Sequence, residues 1–222
     1  MSQSIVRRLV LKDLYLARWL ILGSLVLAAA TLALTPLGLV LFYVGSVSFL
    51  CVLILLNVFV VTLTVAQEKK EKVLLFALSL PISTTQYAMA KMTSSLIAFF
   101  VPLVLMGLGA VIVTDLTILP NGMIPFTLLI MAYVALYFCV FLAVALAADS
   151  GFWNTIVIII GNISINFFIA FVFQLPSVVE HSRGETAMWT SDLVTIFVIE
   201  LALCVVALGL GMFFTLRKKD FI

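Results

Sequence analysis

Long apolar runs separated by short charged segments dominate the pattern along the chain. An α-helix rises 1.5 Å per residue and must cross about 30 Å of hydrocarbon, so roughly 20 apolar residues make one membrane span. The interval 19–67 is free of charge until its end and is long enough for two spans, with Thr35-Pro36-Leu37-Gly38 as the turn between them. The other intervals supply one span each, and they are 92–114, 116–148, 150–179 and 193–216, the last interrupted only by Glu200.

The pattern therefore predicts six transmembrane helices. In lipid every backbone N–H and C=O needs an internal partner, and segments this long and uniformly apolar meet that need as helices rather than as barrel strands. The connections leave no room for a soluble catalytic domain, so we expect one all-α transmembrane domain over residues 1–222. The expected spans are 19–35, 39–66, 94–114, 123–147, 152–173 and 192–216.

Composition and charge agree with an integral membrane protein. The chain is 65% hydrophobic and 10% charged, whereas soluble domains have about 25% charged residues. Eleven of the 12 Lys and Arg residues lie before the first span, between the second and third, or after the sixth, all on one side of a six-span topology. The positive-inside rule predicts that this side, with both termini, is cytoplasmic.

The segment before the first span has a helical pattern. Residues 5–18, IVRRLVLKDLYLAR, place several apolar side chains on one face and arginines on the others. This pattern favours an amphipathic amino-terminal helix on the inner membrane surface. The alternative is a positively charged flank that only sets the topology.

A few polar side chains lie within the predicted spans. Asn162 and Asn166 are four residues apart and share a helix face, so we expect them to face protein or a water-filled pocket. Asn57 lies in the second span. These amides could join helices by hydrogen bonds, within the bundle or between two copies, or line a polar patch along a substrate path.

Glu200 is the charged residue inside a span. It lies eight residues beyond Asp192, about 12 Å into the membrane, where an acidic residue costs about 3 kcal/mol to insert. Protonation, a partner or water must compensate that cost. Glu200 is therefore a candidate functional residue on the translocation path, or else a hydrogen-bonded structural acid.

Several kinds of chemistry are absent from the sequence. The phosphate-binding pattern G-x-x-x-x-G-K-[ST] does not occur, so these residues cannot hydrolyse ATP by the usual route. The one histidine, His181, is expected to be a solvated loop residue, and Cys51, Cys139 and Cys204 are expected to be packed thiols. We predict no catalytic residue and no metal site on this chain.

One cytoplasmic segment is longer and more patterned than a turn needs to be. Residues 67–83, QEKKEKVLLFALSLPIS, contain five consecutive charged residues, 68–72, and continue with an apolar run too short to span a membrane. Residues 68–80 favour a short helix with Leu74, Leu75 and Leu78 on one side, and Pro81 ends it. Ser83 with Gln86 is a capping-box pattern, so a new helix should begin there and continue into the third span.

This arrangement resembles the permease subunits of bacterial ATP-binding-cassette exporters of the second (type-2) permease class. The order of elements is similar: an amphipathic helix, two spans, a glutamate-led cytoplasmic helix that ends in Leu-Pro, and four more spans. The matching residues are Glu68, Glu71, Leu80-Pro81-Ile82-Ser83, Lys91, Lys12-Asp13-Leu14 and Arg217-Lys218-Lys219-Asp220.

The resemblance implies partners and roles. The segment after the second span would be the coupling helix, which docks on a separate cytoplasmic ATPase present in two copies. ATP and Mg would be bound by that ATPase and not by this chain. A second permease copy, identical or related, would complete the transporter in the lipid of the bacterial inner membrane, and residues 174–191 would form a partly re-entrant outer cap. The ATPase-docking residues would be Glu68, Glu71, Leu74, Leu75 and Leu78, with Pro81 at the end of the helix.

The expected cargo follows from the apolar composition of the spans. A hydrophobic or amphipathic compound, such as a peptide, an antibiotic or a lipid-like molecule, suits a largely apolar pathway better than a bare ion, and nothing in the pattern indicates nucleic acid. A haem-exporter-like permease is an alternative within the same superfamily. From another class, the chain could be a non-transporting scaffold or sensor that recruits a cytoplasmic partner.

Overall fold

The computed structural model describes residues 2–67, 84–148, 150–182 and 184–217, with side chains from Val6 and from Thr85 onward in the first two ranges. Within these ranges the chain is helical and contains no strand. The all-α class predicted from the sequence is therefore confirmed. The helices are α1 Ser2–Leu34, α2 Leu39–Val61, α3 Thr84–Leu116, α4 Met123–Ala147, α5 Gly151–Phe173, α6 Pro176–His181 and α7 Ser191–Arg217.

Among the described residues, six helices are long and apolar enough to cross a membrane, which confirms the predicted number of spans. Only α6 is too short. The helices α1 and α3 begin well before the predicted spans do, because apolar length marks the hydrocarbon region whereas a helix can continue into the polar layer beyond it. The assignment of residues 1–222 to one domain stays a prediction.

The amino-terminal segment and the first span form one helix. α1 runs without a break from Ser2 to Leu34, so residues 5–18 are its first turns and not a separate helix. Arg18 lies outside the bundle with its guanidinium carbon 3.7 Å from the centre of the Tyr15 ring. The position of residues 5–18 on the membrane surface stays a prediction.

The turn between the first two spans is where the sequence placed it. Thr35–Leu37 forms one 3₁₀ turn, and Gly38 follows with φ at +148° before α2 begins. A residue with a Cβ atom rarely adopts that backbone conformation, so glycine is required here. The short connection makes α1 and α2 antiparallel neighbours, and the two pack extensively against each other.

α4 is the central helix of the bundle. Its sequence is apolar on all sides, which is typical of a helix that is surrounded by other helices, and it packs against α2, α3, α5 and α7. The Phe138 ring is stacked on Phe99 of α3 with ring centres 4.0 Å apart, and Tyr133 is stacked on Phe168 of α5 at 4.1 Å. α5 and α7, in contrast, leave most of their apolar surface exposed on the outside of this single subunit.

The contact between α4 and α7 depends on a glycine. A Cβ atom at Gly211 would lie 2.7 Å from both Cα and Cβ of Ala143, whereas a Cβ atom at Gly209 on the same helix would meet nothing within 4 Å. Small residues at helix crossings allow such close approach in membrane proteins. Gly211 is therefore needed for packing and Gly209 is not.

Substitution of these two glycines should have opposite effects. We expect Gly211→Ala to lower the free energy of unfolding by about 1–3 kcal/mol, since α4 and α7 must separate to admit the methyl group. Gly209→Ala, the matched control, should be neutral or raise stability by up to about 1 kcal/mol because alanine favours the helix. Thermal melting of the purified variants in one detergent tests this, and equal losses for both would contradict the close contact.

The 174–191 loop packs on the end of the bundle. Val178 of α6 is buried against Leu129 of α4 and Leu193 of α7. The Gly122 N–H donates to the Gly184 carbonyl at 3.0 Å, and a Cβ atom at Gly122 would collide with the His181 carbonyl oxygen. This loop therefore closes over the α3–α4 connection, whereas its predicted re-entrant position in the membrane stays a prediction.

Two smaller predictions were wrong. His181 is half-buried at the end of α6, where its Nδ1 lies 2.9 Å from the Ser177 carbonyl oxygen, so it is not a solvated loop residue. Cys51 is exposed on α2 and is not packed, because it lies on the face of that helix directed away from the bundle. Cys139 and Cys204 are buried, as predicted.

Candidate functional site

The predicted ATPase-docking residues lie in 68–83, outside the described residues, so their contacts stay a prediction. They are Glu68, Glu71, Leu74, Leu75, Leu78 and Pro81. What the structure describes is the end of α2, the beginning of α3 and the part of α1 that packs against them. The candidate site is built from these three helices.

The end of α2 is tied to α3 by a buried hydroxyl pair. Beyond Val61 the helix continues through the π-helical turn Thr62–Ala66. Thr64 Oγ1 lies 2.7 Å from Ser95 Oγ on α3 and 2.7 Å from the Val60 carbonyl oxygen. Because both side chains are buried, these hydrogen bonds also remove the cost of leaving hydroxyl groups unsatisfied.

The beginning of α3 is tied to α1 by a buried ion pair. Lys91 Nζ donates to both carboxylate oxygens of Asp13, at 2.9 and 2.8 Å. The side chains of Lys91 and Asp13 are 1% and 2% exposed. A lysine buried to this degree needs a partner of opposite charge, and Asp13 provides one from a different helix.

Ser94 and Tyr87 also contact this ion pair. Ser94, one turn after Lys91, donates its hydroxyl to the Asp13 carboxylate at 3.0 Å. Lys91 Nζ also lies 5.8 Å from the centre of the Tyr87 ring, within the range of a cation–π interaction. Charge-assisted hydrogen bonds of this kind are about twice as strong as neutral ones, so the contact holds α1 and α3 in one relative position.

Glu200 lies inside the bundle on α7. It is 3% exposed, and neither carboxylate oxygen has a hydrogen-bond partner among the described residues. Cys204, one turn further along α7, contacts the Cys139 thiol of α4. Glu200 is therefore enclosed one turn away from this contact between α4 and α7, and it is not among the residues that line the 280 Å³ cavity described below.

Asn57 is in a similar position on α2. It is 0% exposed, and in the described part of the chain neither amide atom has a hydrogen-bond partner. A buried amide without a partner costs free energy. Asn57 is thus a second polar side chain enclosed among apolar neighbours in the membrane-spanning region.

Asn162 and Asn166 share a face of α5, as their spacing predicted. Each donates Nδ2 to a carbonyl four residues earlier, Asn162 to Ile158 and Asn166 to Asn162, both at 2.8 Å. Asn162 is half-buried and Asn166 is exposed. Within this one subunit they therefore lie toward the outer surface, where a second copy of the chain or an aqueous path would have to meet them.

The structure also contains an apolar cavity and an apolar groove. A cavity of about 280 Å³ lies at the predicted outer end of the bundle and is lined by side chains of α1 to α5, among them Leu32, Phe42, Leu53, Met131 and Phe173. A shallower groove of about 570 Å³ runs between α1 and α3 at the opposite end, where Leu11 and Met89 line it. The sequence predicted neither the cavity nor the groove.

A comparison with protein families matches residues 8–218 to the ABC-2 family transporter protein. The match covers five of the candidate spans in full and the first one from residue 8, and it includes the described α1–α3 contact. The chain belongs to the ABC-2 transporter family. Comparisons with curated proteins and with solved structures found no match.

Family membership confirms the resemblance to the second permease class and makes the chain a multi-pass membrane protein of an ABC transporter. In this ABC-2 transporter, no side-chain-to-side-chain hydrogen bond within the described ranges joins Glu200, Asn57, Asn162 or Asn166 to one another. The structure instead brings together Asp13, Lys91 and Ser94. The sequence marks Asp13 and Lys91 only as residues that match the family, since nothing in one sequence pairs two charges 78 residues apart.

Proposed function

We propose that this ABC-2 family chain is the transmembrane permease subunit of an ATP-driven exporter, and that a separate cytoplasmic ATPase hydrolyses the ATP. The observation that carries the proposal is the family match across all six candidate spans. The absence of a phosphate-binding motif from these 222 residues supports a separate ATPase. ATP and Mg would be bound by that subunit, in two copies, and this chain would have no catalytic activity itself.

The proposed topology places both termini in the cytoplasm of a bacterium, with the chain in the inner membrane. The distribution of basic residues supports it, since most of them precede α1, lie between α2 and α3, or follow α7. In this orientation the α1–α3 ion pair and the segment 68–83 are at the cytoplasmic end. The short helix α6 and the apolar cavity are then at the outer end.

The proposed cargo is hydrophobic or amphipathic: a peptide, an antibiotic or a lipid-like compound. The lining of the outer cavity supports this, because its walls are almost entirely apolar. Its hydroxyl groups at Thr35, Thr114 and Thr127 already bond to carbonyls of their own helices. No charged side chain lines the cavity, so a bare ion would find no counter-charge there, whereas an apolar chain would be well accommodated.

A second permease copy, identical or related, would complete the pathway. The exposed apolar surfaces of α5 and α7 support this, together with the exposed amide of Asn166. An amide exposed to hydrocarbon is costly, and contacts between helices commonly satisfy such groups in membranes. Asn162 and Asn166 are therefore proposed to lie at the subunit interface or on the translocation path, and Glu200 and Asn57 to be the enclosed polar groups behind it.

Charge reversal in the proposed coupling helix tests the central claim. We expect Glu68→Lys with Glu71→Lys to reduce ATPase recovery to background when the tagged permease is purified from its native membrane. The physical reason is that like charges would replace complementary ones at the docking surface. Quantitative mass spectrometry of the purified complex measures the ratio of ATPase to permease.

The matched control reverses two glutamates of the outer loop, Glu180→Lys with Glu185→Lys. Both side chains are exposed, and at the proposed outer side they cannot contact a cytoplasmic ATPase. The control should retain the native ratio. If the coupling-helix variant also retains it, the assignment of residues 68–80 to the docking helix is wrong; if the native chain recovers no ATPase, the permease function itself is contradicted.

A further inference from the structure

The contact between Asp13 and Lys91 is more specific than neutralisation of a charge requires. Both carboxylate oxygens accept from Lys91 Nζ, and Ser94 adds a third bond to the same carboxylate. Three bonds to one group fix the distance between α1 and α3 and also the register of one helix along the other. Apolar side chains at these positions would constrain the register less, because apolar contacts are not directional.

Stability alone gives no reason for this arrangement. Taking two charges out of water is costly, and replacing a buried ion pair with well-packed apolar residues of similar volume is often neutral or stabilising. The membrane-spanning bundle offers abundant apolar residues for such a contact. The ion pair therefore points to a requirement for fixed geometry between α1 and α3.

The position of the pair shows which parts of the chain are held. Lys91 and Ser94 lie in the third turn of α3, and Ser95, the next residue, bonds to Thr64 near the end of α2. α1, the end of α2 and the beginning of α3 thus meet through buried polar bonds on one stretch of α3. The ends of α2 and α3 held there are the two that flank 68–83.

We propose that Asp13, Lys91 and Ser94 form a rigid joint through which a displacement at the proposed cytoplasmic ends of α2 and α3 moves α1 as well. Asp13 and Lys91 are positioning residues, because they act through the helices and contact neither cargo nor nucleotide. The inference rests on the proposed function, which supplies the ATP-driven displacement. It goes beyond that function by naming the contact that makes three helices move as one body.

A covalent tether can substitute for the joint. Leu11 and Met89 are exposed and line the same groove between α1 and α3, so cysteines at both positions can be bridged by a bifunctional thiol reagent. The three native cysteines are first replaced by alanine. The double substitution Asp13→Leu with Lys91→Met removes both charges at similar volume.

The readout is a conformational change at the far end of the bundle. Ser46→Cys reports from the wall of the outer cavity. Its rate of reaction with a water-soluble maleimide is measured, on the peptide that contains residue 46, with the complex in nanodiscs. Nucleotide-free complex is compared with complex trapped by Mg·ATP and vanadate.

With the native pair, trapping should change the reaction rate at residue 46, and the tether should leave that change as it was. In the double variant, trapping should no longer change the reaction rate at residue 46, and the tether should restore that change. The melting temperature of the double variant should lie close to that of the native chain. Such a loss of response without a loss of stability, together with recovery by the tether, is not expected from a contact that only stabilises the fold.

Four results would overturn the joint. The first is a double variant in which trapping still changes the reaction rate in full, and the second is a double variant that loses this change and does not regain it with the tether. The third is a tether that abolishes the change while the native pair is present. The fourth is a native complex that contains the ATPase but whose reaction rate at residue 46 does not change on trapping. The tether on the native pair decides the matter even if the double variant fails to fold. Absence of any ATPase from the native complex would instead contradict the proposed function.

Discussion

Lys91→Ala should be the most destabilising single substitution among those considered for this chain. It leaves the buried Asp13 carboxylate without its cation, and removing one partner of a buried ion pair typically costs about 3–5 kcal/mol. We expect a large fall in melting temperature and in the yield of monodisperse protein. Differential scanning fluorimetry and size-exclusion chromatography in the same detergent measure both quantities.

The double substitution Asp13→Leu with Lys91→Met provides the comparison that isolates the pair. It should recover most of the loss, because no charge is then left buried, and the coupling between the positions is obtained from a double-mutant cycle. Arg18→Ala is the control for loss of a cation from α1, since Arg18 is exposed, and it should change stability by less than about 1 kcal/mol. A small effect of Lys91→Ala, similar to that of Arg18→Ala, would contradict the buried ion pair.

Substitution of Glu200 should raise stability, in contrast to Lys91→Ala, and should impair function. Both of its carboxylate oxygens are buried without a partner among the described residues, so Glu200→Leu should raise the free energy of unfolding by about 1–3 kcal/mol. Glu200→Gln should leave assembly with the ATPase intact. We expect both variants to impair ATP-driven transport, because an acid retained at such a cost in the membrane is a functional-site candidate.

Transport can be measured with the reconstituted complex against a panel of hydrophobic peptides and lipophilic drugs, and assembly by the recovered ratio of ATPase to permease. Asp192→Asn is the control, since Asp192 is an exposed acid in the first turn of the same helix, and it should transport normally. Normal transport by Glu200→Gln would make Glu200 a packing residue. A less stable Glu200→Leu variant would show that the carboxyl group has a partner after all.

The spans were predictable because each is a local property of the sequence. Charge-free intervals long enough to cross a bilayer identify apolar helices directly, and Thr35-Pro36-Leu37-Gly38 indicated the turn that Gly38 completes with its positive φ. The continuity of α1 was not predictable in the same way. The change from mixed to apolar composition near residue 19 indicates where the chain enters the hydrocarbon. It does not indicate whether the helix is interrupted there.

The candidate site was harder to predict because it depends on contacts between distant residues. Glu200 and the asparagines were identifiable one by one, since a polar residue within an apolar run is conspicuous in any sequence. Which polar groups meet is decided by the packing of α1 against α3, and a single sequence carries no record of that contact. For the same reason the contact of Cys204 with Cys139 became visible only in the structure.

The way in which the 174–191 loop is held has a consequence for how its sequence can vary. Its contact with the α3–α4 connection is made by backbone atoms, through the hydrogen bond from Gly122 to Gly184 and the close approach of the His181 carbonyl. The exposed side chains of the loop, including Glu185, Met188 and Trp189, take no part in that contact. Evolution can therefore exchange the chemistry at the mouth of the bundle while the loop keeps its place.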